Sequence, residues 1–161
     1  MNATRPDDLN VGKSLREPGA VLLVSCYELG HQPLAVSSPA ASLRAAGFDP
    51  HVRDGAVKRL VPEDFAGAPL IAISVPMLTA TRIGVQVARR AREVNPDAVI
   101  GFYGYYAWLN AEYLFDARVA DFVIGGESET PLVDAATALD EGRPVDGIPG
   151  VRTPGAAGTP F

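Results

Sequence analysis

The chain has 161 residues, with 14 Lys and Arg against 19 Asp and Glu and a formal net charge of −5. This length suits one domain, and a hydrophobic content of 47% is enough for a packed core. An acidic chain without a basic cluster is a poor partner for nucleic acid. The single cysteine, Cys26, excludes an internal disulfide, and no Cys/His pair is spaced to hold zinc or an iron–sulfur cluster.

No segment predicts a membrane span or a signal peptide. The longest nearly apolar stretch, residues 69–78, has about half of the ~20 residues that a bilayer crossing needs. The polar start of the chain lacks the apolar segment of a signal peptide. We therefore expect a cytoplasmic protein without a membrane partner.

Short apolar runs alternate with helical patterns along the chain. Runs rich in β-branched and aromatic residues predict buried strands, and apolar residues recurring every three or four positions predict helices. In chain order these are a strand at 20–24, a helix at 39–46, a weaker edge strand at 51–54, a strand at 70–73, a helix with the apolar stripe Ile83, Val87, Ala91 and Val94, a strand at 98–103, a helix at 108–115, a strand at 121–124 and a helix at 130–141.

This alternation predicts an α/β fold with a doubly wound, five-stranded parallel sheet in three α/β/α layers. Parallel neighbours need crossover connections, and right-handed crossovers place helices on both faces. Five strands in this length fit the flavodoxin-like, or Rossmann-like, order 2-1-3-4-5. Glycine and proline concentrate near both ends, so we expect a flexible tail over residues 1–18, a folded domain over 19–142 and a linker over 143–161.

Chemically distinctive residues follow the carboxyl ends of four predicted strands, where doubly wound sheets bind their ligands. Aromatic side chains combined with glycines favour a large flat organic ligand over a compact phosphate. The alternative is that the tyrosines cap the core or pack against a neighbouring domain. The candidate binding residues are Cys26, Tyr27, Ser74, Pro76, Met77, Thr79, Tyr103, Gly104, Tyr105, Gly125, Gly126 and Glu127.

The sequence lacks the motifs of several known protein classes that share this architecture. A phosphoacceptor receiver needs clustered carboxylates after the first strand and an aspartate ending the third, but Ser25 and Val75 follow these runs. Residues 26–33 contain neither a dinucleotide-binding G-x-G-x-x-G nor the phosphate loop of a flavodoxin. Cys26 and His31 leave open a small thiol enzyme, although a buried cysteine and a surface histidine are the simpler interpretation.

Several short segments occur in a familiar order: residues 32–36, 39–47 and 52–54, the serine loop 73–79, the glycine–glutamate segment 121–130, and Ile-Pro-Gly-Val at 148–151. Together they resemble the cobalamin-binding domain at the N-terminus of many radical SAM enzymes. The resemblance covers about residues 21–151. Residues 26–33 and 101–106 are similar to one subgroup, the radical SAM proteins named for a Cys-Cys-Ala-Glu-Pro or selenocysteine-containing tail.

This resemblance implies that a corrinoid lies on the carboxyl rim, the edge of the sheet formed by the carboxyl ends of the parallel strands. Its lower tail would enter the sheet between strands one and three, beside Ser74 and the loop at Tyr103 and Gly104. Corrinoid methyltransferases carry Asp-x-His-x-x-Gly after the first strand, and its histidine binds cobalt. Glu28 stands in that place here, which leaves His31 as a candidate cobalt ligand. The alternative is a vestigial docking or cap domain that binds no corrin and uses the same tyrosines as an interface.

Radical SAM chemistry requires a cluster bound by CxxxCxxC, and one cysteine cannot supply it. The chain is therefore not expected to be catalytic alone. The resemblance places the [4Fe-4S] cluster and S-adenosylmethionine in a downstream radical SAM domain of a longer parent chain. The corrinoid and that domain are the expected partners.

Overall fold

Strands and helices alternate in the computed structural model of the chain, which describes residues 14–28, 31–156 and 158. Among the described residues, at least one helix lies between each strand and the next. Among the described residues the elements are β1 (Val21–Ser25), α1 (Leu34–Ala45), β2 (His51–Asp54), α2 (Pro62–Ala66), β3 (Leu70–Ser74), α3 (Leu78–Val94), β4 (Val99–Tyr103), α4 (Tyr105–Leu109), α5 (Ala111–Asp116), β5 (Phe122–Ile124), α6 (Glu129–Asp140) and β6 (Val151–Arg152).

The strands form one sheet in the order β2-β1-β3-β4-β5-β6. The first five are parallel and follow the expected 2-1-3-4-5 order. The prediction of five strands was too low, because β6 adds an antiparallel edge through Ile124↔Val151 and Val123↔Arg152. A strand of only two residues inside a Gly/Pro-rich segment has no alternating pattern that the sequence could reveal.

Residues on both sides of the expected 19–142 domain pack against it. At the carboxyl end, Val145 and Val151 are buried. At the amino end, Leu15 is buried and its N–H donates to the Asp140 carboxylate at 2.8 Å, from 125 residues away along the chain. Ser14 Oγ and Arg16 Nε donate to the same carboxylate at 2.9 and 3.0 Å. Such distant contacts leave no local pattern in the sequence.

Helix α1 begins at Leu34, before the predicted residue 39, and contains Pro39. Proline has no N–H, so the carbonyl oxygen of Ala35, four residues earlier, loses its helical donor. The hydroxyl of Tyr103 on β4 supplies one instead, at 2.8 Å. Helix α2 was not predicted, since five residues are too few to show a period. No helix of the described part of the chain is long and apolar enough to cross a membrane.

Helices cover both faces of the sheet. One apolar cluster joins one face to the layer of α2, α3, α4 and α5, and the other joins the opposite face to α1 and α6. The predicted stripe of α3 was partly wrong, because small residues such as Gly84 and Ala88 face the sheet while Ile83 is 37% exposed. A Cβ on Gly84 would lie 3.0 Å from Val75 Cγ1, so a larger residue there would press on the side chains that the close approach of α3 brings near.

Candidate functional site

Two serines end the central strands β1 and β3 at the same level. Ser25 pairs in register with Ser74, which pairs with Tyr103 on β4. Residues in register on parallel neighbours face the same side, so all three side chains face the layer of α1 and α6. Ser25 and Ser74 are 0% and 1% exposed, and neither hydroxyl has a hydrogen-bond partner among the described residues. An unsatisfied buried hydroxyl costs about 1 to 3 kcal/mol.

The phenol of Tyr103 lies beside these serines and belongs to the core. Its hydroxyl donates to Ala35, and its side chain is 2% exposed. Burial raises the pKa of Tyr103 far above its usual range. The Ser74 hydroxyl lies near the phenol without forming a hydrogen bond of normal geometry, and it offsets this rise only in part. Tyr103 is therefore a neutral hydrogen-bond donor that joins β4 to α1. Its side chain is buried beneath the rim and does not form part of the accessible surface.

Glu28 contributes a third oxygen without a partner, because its Oε1 is buried and makes no hydrogen bond among the described residues. Burial raises the pKa of Glu28; the Ala35 N–H lowers it and the charge of Asp54 raises it further. Sequence reasoning proposed Ser74 as a binding residue but missed Ser25. The signal was available, since the apolar runs of β1 and β3 both end in serine.

Cys26 faces the other side of the sheet and packs with the residues that underlie α2 and α3. Burial raises the pKa of its thiol to about 12, with a further contribution from the charge of Asp54. His31 is exposed, and its backbone N–H donates to the Glu28 carbonyl oxygen at 2.9 Å. A thiol that stays protonated at neutral pH does not support the thiol enzyme.

The first residues of α1, α3 and α4 form an apolar surface on the rim. Leu34, Leu78 and Tyr105 are 69%, 57% and 68% exposed. Helices that follow parallel strands begin at the carboxyl ends of those strands, so these side chains share one edge of the domain. We call Leu34, Leu78 and Tyr105 the rim surface. Leu34 and Leu78 were missed, because the sequence patterns assigned neither to an exposed helix start.

The other candidates on the rim differ in exposure. Thr79, Gly126 and Glu127 are exposed, whereas Tyr27, Pro76, Met77 and Gly104 are half-buried.

Two of the proposed rim glycines have structural roles. Gly104 has a φ of 104°, and a Cβ there would lie 3.1 Å from the Val75 carbonyl oxygen. A Cβ on Gly125 would lie 2.3 Å from Trp108 Cε3, so the indole already fills the space beside this glycine. Gly125 stays a predicted binding residue, and its glycine is explained by the packing of Trp108.

No group of three His, Cys, Asp or Glu residues is placed to hold a metal ion in the described part of the chain.

Comparison with known proteins gives matches among solved structures. No protein-family model and no curated protein matches the chain. The radical S-adenosylmethionine methyltransferase TsrM from Kitasatospora setae, with tryptophan substrate and a SAM analog bound, aligns with a TM-score of 0.73 and 22% identity over 87% of this chain and 30% of its own. The same protein with cobalamin and a [4Fe-4S] cluster bound aligns with a TM-score of 0.69 and 21% identity over 83% of this chain and 28% of its own.

At this level of identity the similarity shows a shared fold. The chain spans 30% and 28% of the two structures that it matches. It therefore has the α/β fold of one part of a much longer radical S-adenosylmethionine methyltransferase.

Proposed function

We propose that this domain binds a corrinoid on its carboxyl rim and presents it to a radical SAM domain of a longer chain. One observation carries the proposal: the hydroxyls of Ser25 and Ser74 are buried side by side at the ends of the central strands, and neither has a hydrogen-bond partner in the part of the chain that the structure describes. A ligand that hydrogen-bonds both hydroxyls would remove the cost of leaving them unsatisfied. The fold shared with the cobalamin-bound TsrM structure supports the same conclusion.

The residues fit the two chemically different parts of a corrinoid. The rim surface offers apolar contact to the macrocycle, as an exposed apolar patch on a binding domain does. The oxygens of Ser25, Ser74 and Glu28 offer hydrogen bonds to the polar tail. A bound corrinoid would supply cobalt, which carries a methyl group or an electron.

The described residues do not provide an obvious nitrogen ligand for cobalt. Glu28 stands where corrinoid methyltransferases have histidine, and its carboxyl is partly buried beside Ala35. His31 is exposed on the following turn. We therefore propose that the corrinoid is held by its periphery and tail, with His31 as the alternative cobalt ligand.

Access to the serines requires motion. Both hydroxyls are covered, and the hydrogen bond from Tyr103 to Ala35 holds the first turn of α1 against the sheet. A tail that reaches Ser25 and Ser74 must therefore displace residues that bury these two hydroxyls. Binding through such an opening is slower than diffusion alone.

The test mixes the chain with hydroxocobalamin, removes free corrinoid by desalting and records the visible spectrum. We expect corrinoid to be retained by the native chain and lost from Leu34→Glu and from the Ser25→Ala/Ser74→Ala double variant. Tyr113→Glu on α5 is the matched control, since Tyr113 is 54% exposed but lies outside the rim surface. A native chain that retains no corrinoid overturns the proposal, as does equal retention by all variants.

A docking domain that binds no corrin is the second candidate. Tyr105, Leu109 and Tyr113 recur every four residues along α4 and α5 and are 68%, 60% and 54% exposed. Such a stripe is typical of a surface that another domain covers. A native chain without retained corrinoid would favour this function.

A further inference from the structure

A cavity of about 390 Å³ lies between the loop after β2 and helix α3. Pockets of roughly 300 to 1,000 Å³ accommodate small molecules. Cys26 and Phe65 are buried at the inner side of this cavity, at 3% and 0% exposure. The cavity therefore lies on the Cys26 side of the sheet, whereas the side chain of Ser74 faces the other layer.

The outer wall of the cavity is apolar and exposed. Val57 and Leu60 from the loop and Ile83 and Val87 from α3 line it, and Val57 and Ile83 are 84% and 37% exposed. Ile83 and Val87 belong to the stripe that the sequence assigned to the core. They are free to line the cavity because Gly84 and Ala88 take the positions against the sheet.

Two arginines, Arg59 and Arg90, line the same cavity. Neither makes an ion pair or a hydrogen bond among the described residues, whereas five other arginines are paired with carboxylates. The adjacent carboxylate, Asp54, accepts the N–H of Ala56 at 2.9 Å. Two unpaired guanidinium groups beside apolar walls favour an anion that carries an apolar body.

We propose that this cavity is a second binding site, for a small carboxylate with a hydrocarbon body. Arg59 and Arg90 bind the carboxylate, and Val57, Ile83 and Val87 contact the hydrocarbon. Ser25 and Cys26 line this cavity, but no residue of the rim surface does. The Ser25 side chain faces the opposite layer of the sheet, so we expect the carboxylate to bind whether or not a corrinoid is present.

The test titrates the ¹⁵N-labelled full chain with octanoate and follows the backbone amide signals. We expect saturable shifts at Gly55, Ala56 and Gln86, with a Kd below about 1 mM. The Arg59→Gln/Arg90→Gln double variant should bind at least about tenfold more weakly. Arg82→Gln/Arg89→Gln is the matched control, because both arginines are exposed on α3 and neither lines the cavity.

A second comparison needs no variant. 1-Octanol has the same hydrocarbon chain without the charge, so it should bind at least about tenfold more weakly than octanoate. The proposal is overturned if octanoate gives no saturable shift, if octanol binds equally well, or if the double variant binds like the native chain. Added hydroxocobalamin should leave the octanoate shifts unchanged, which separates this outcome from the fate of the corrinoid proposal.

Discussion

The hydroxyl of Tyr103 donates a hydrogen bond to the carbonyl oxygen of Ala35 and so joins β4 to the first turn of α1. The acceptor is free because Pro39, four residues further on, has no N–H. The buried phenol thus supplies the hydrogen bond that Pro39 removes from α1, and the Ala35 carbonyl gives the phenol an acceptor. Tyr103 stands in register with Ser74 on the same face of the sheet, so this contact lies beside the two buried serines.

Removal of this hydroxyl should destabilise the domain. Tyr103→Phe leaves the Ala35 oxygen buried without a donor, and we expect the free energy of unfolding to fall by about 1 to 3 kcal/mol in urea titrations. The cost should shrink in a Pro39→Ala background, where the new backbone N–H at position 39 can donate to Ala35. Tyr113→Phe, at an exposed tyrosine, should change stability by less than about 0.5 kcal/mol. An equal cost in both backgrounds would contradict this account.

Loss of the Ser74 hydroxyl should act in opposite directions on stability and binding. Without ligand, Ser74→Ala removes an unsatisfied buried hydroxyl and should raise the free energy of unfolding by about 1 kcal/mol. The same variant should retain less corrinoid after desalting. Ser37→Ala on α1 is the control, with an expected change in stability below about 0.5 kcal/mol. Destabilisation by Ser74→Ala in the absence of ligand would show that the hydroxyl already has a partner.

The thiol of Cys26 should react slowly in the folded chain. Burial raises its pKa to about 12, so little thiolate exists at pH 8. We expect labelling by a disulfide reagent to be at least about tenfold slower in the native chain than in denaturant. The stabilising contribution of the protonated thiol is complete below about pH 9 and is lost as the pH rises toward 12. Rapid native labelling would restore the thiol-enzyme alternative.

Because of the Asp140 carboxylate, the free energy of unfolding should decrease as the pH falls. Burial raises its pKa, but hydrogen bonds from Ser14, the Leu15 N–H and Arg16 outweigh this and hold the pKa below its usual value. A carboxyl with a depressed pKa stabilises the fold above its unfolded pKa, and this contribution is lost as the pH falls.

Asp140→Ala should therefore cost about 1 to 3 kcal/mol at pH 7. It should also flatten the decline in stability between about pH 5 and pH 2. The decline will not vanish, since the pKa of Asp64 is also lowered: burial raises it, but the Val61 N–H and Arg53 outweigh that effect. Identical acid profiles for the native chain and the variant would contradict the contact of residues 14–16 with α6.

The parallel part of the sheet could be predicted because its cause is local. Runs such as Leu70–Ser74 are apolar throughout, as a strand covered on both faces must be, and their alternation with helices selects one architecture. The positions of Ser74 and Tyr105 at strand and helix ends follow from the same pattern. Strand β6 and the N-terminal contact with Asp140 could not be predicted, because each depends on residues that are distant in sequence.

The amino-acid sequence by itself determined that the sheet has parallel strands alternating with helices and at which edge its unusual residues lie, whereas the strand order was inferred from the number of strands and the chain length. Only the tertiary structure decided which of those residues are accessible: it buried Tyr103 against Ala35, covered Gly125 with Trp108 and left Leu34 exposed. Hydrophobic periodicity reports which face of an element is buried, whereas exposure at the end of an element depends on which other segments pack there.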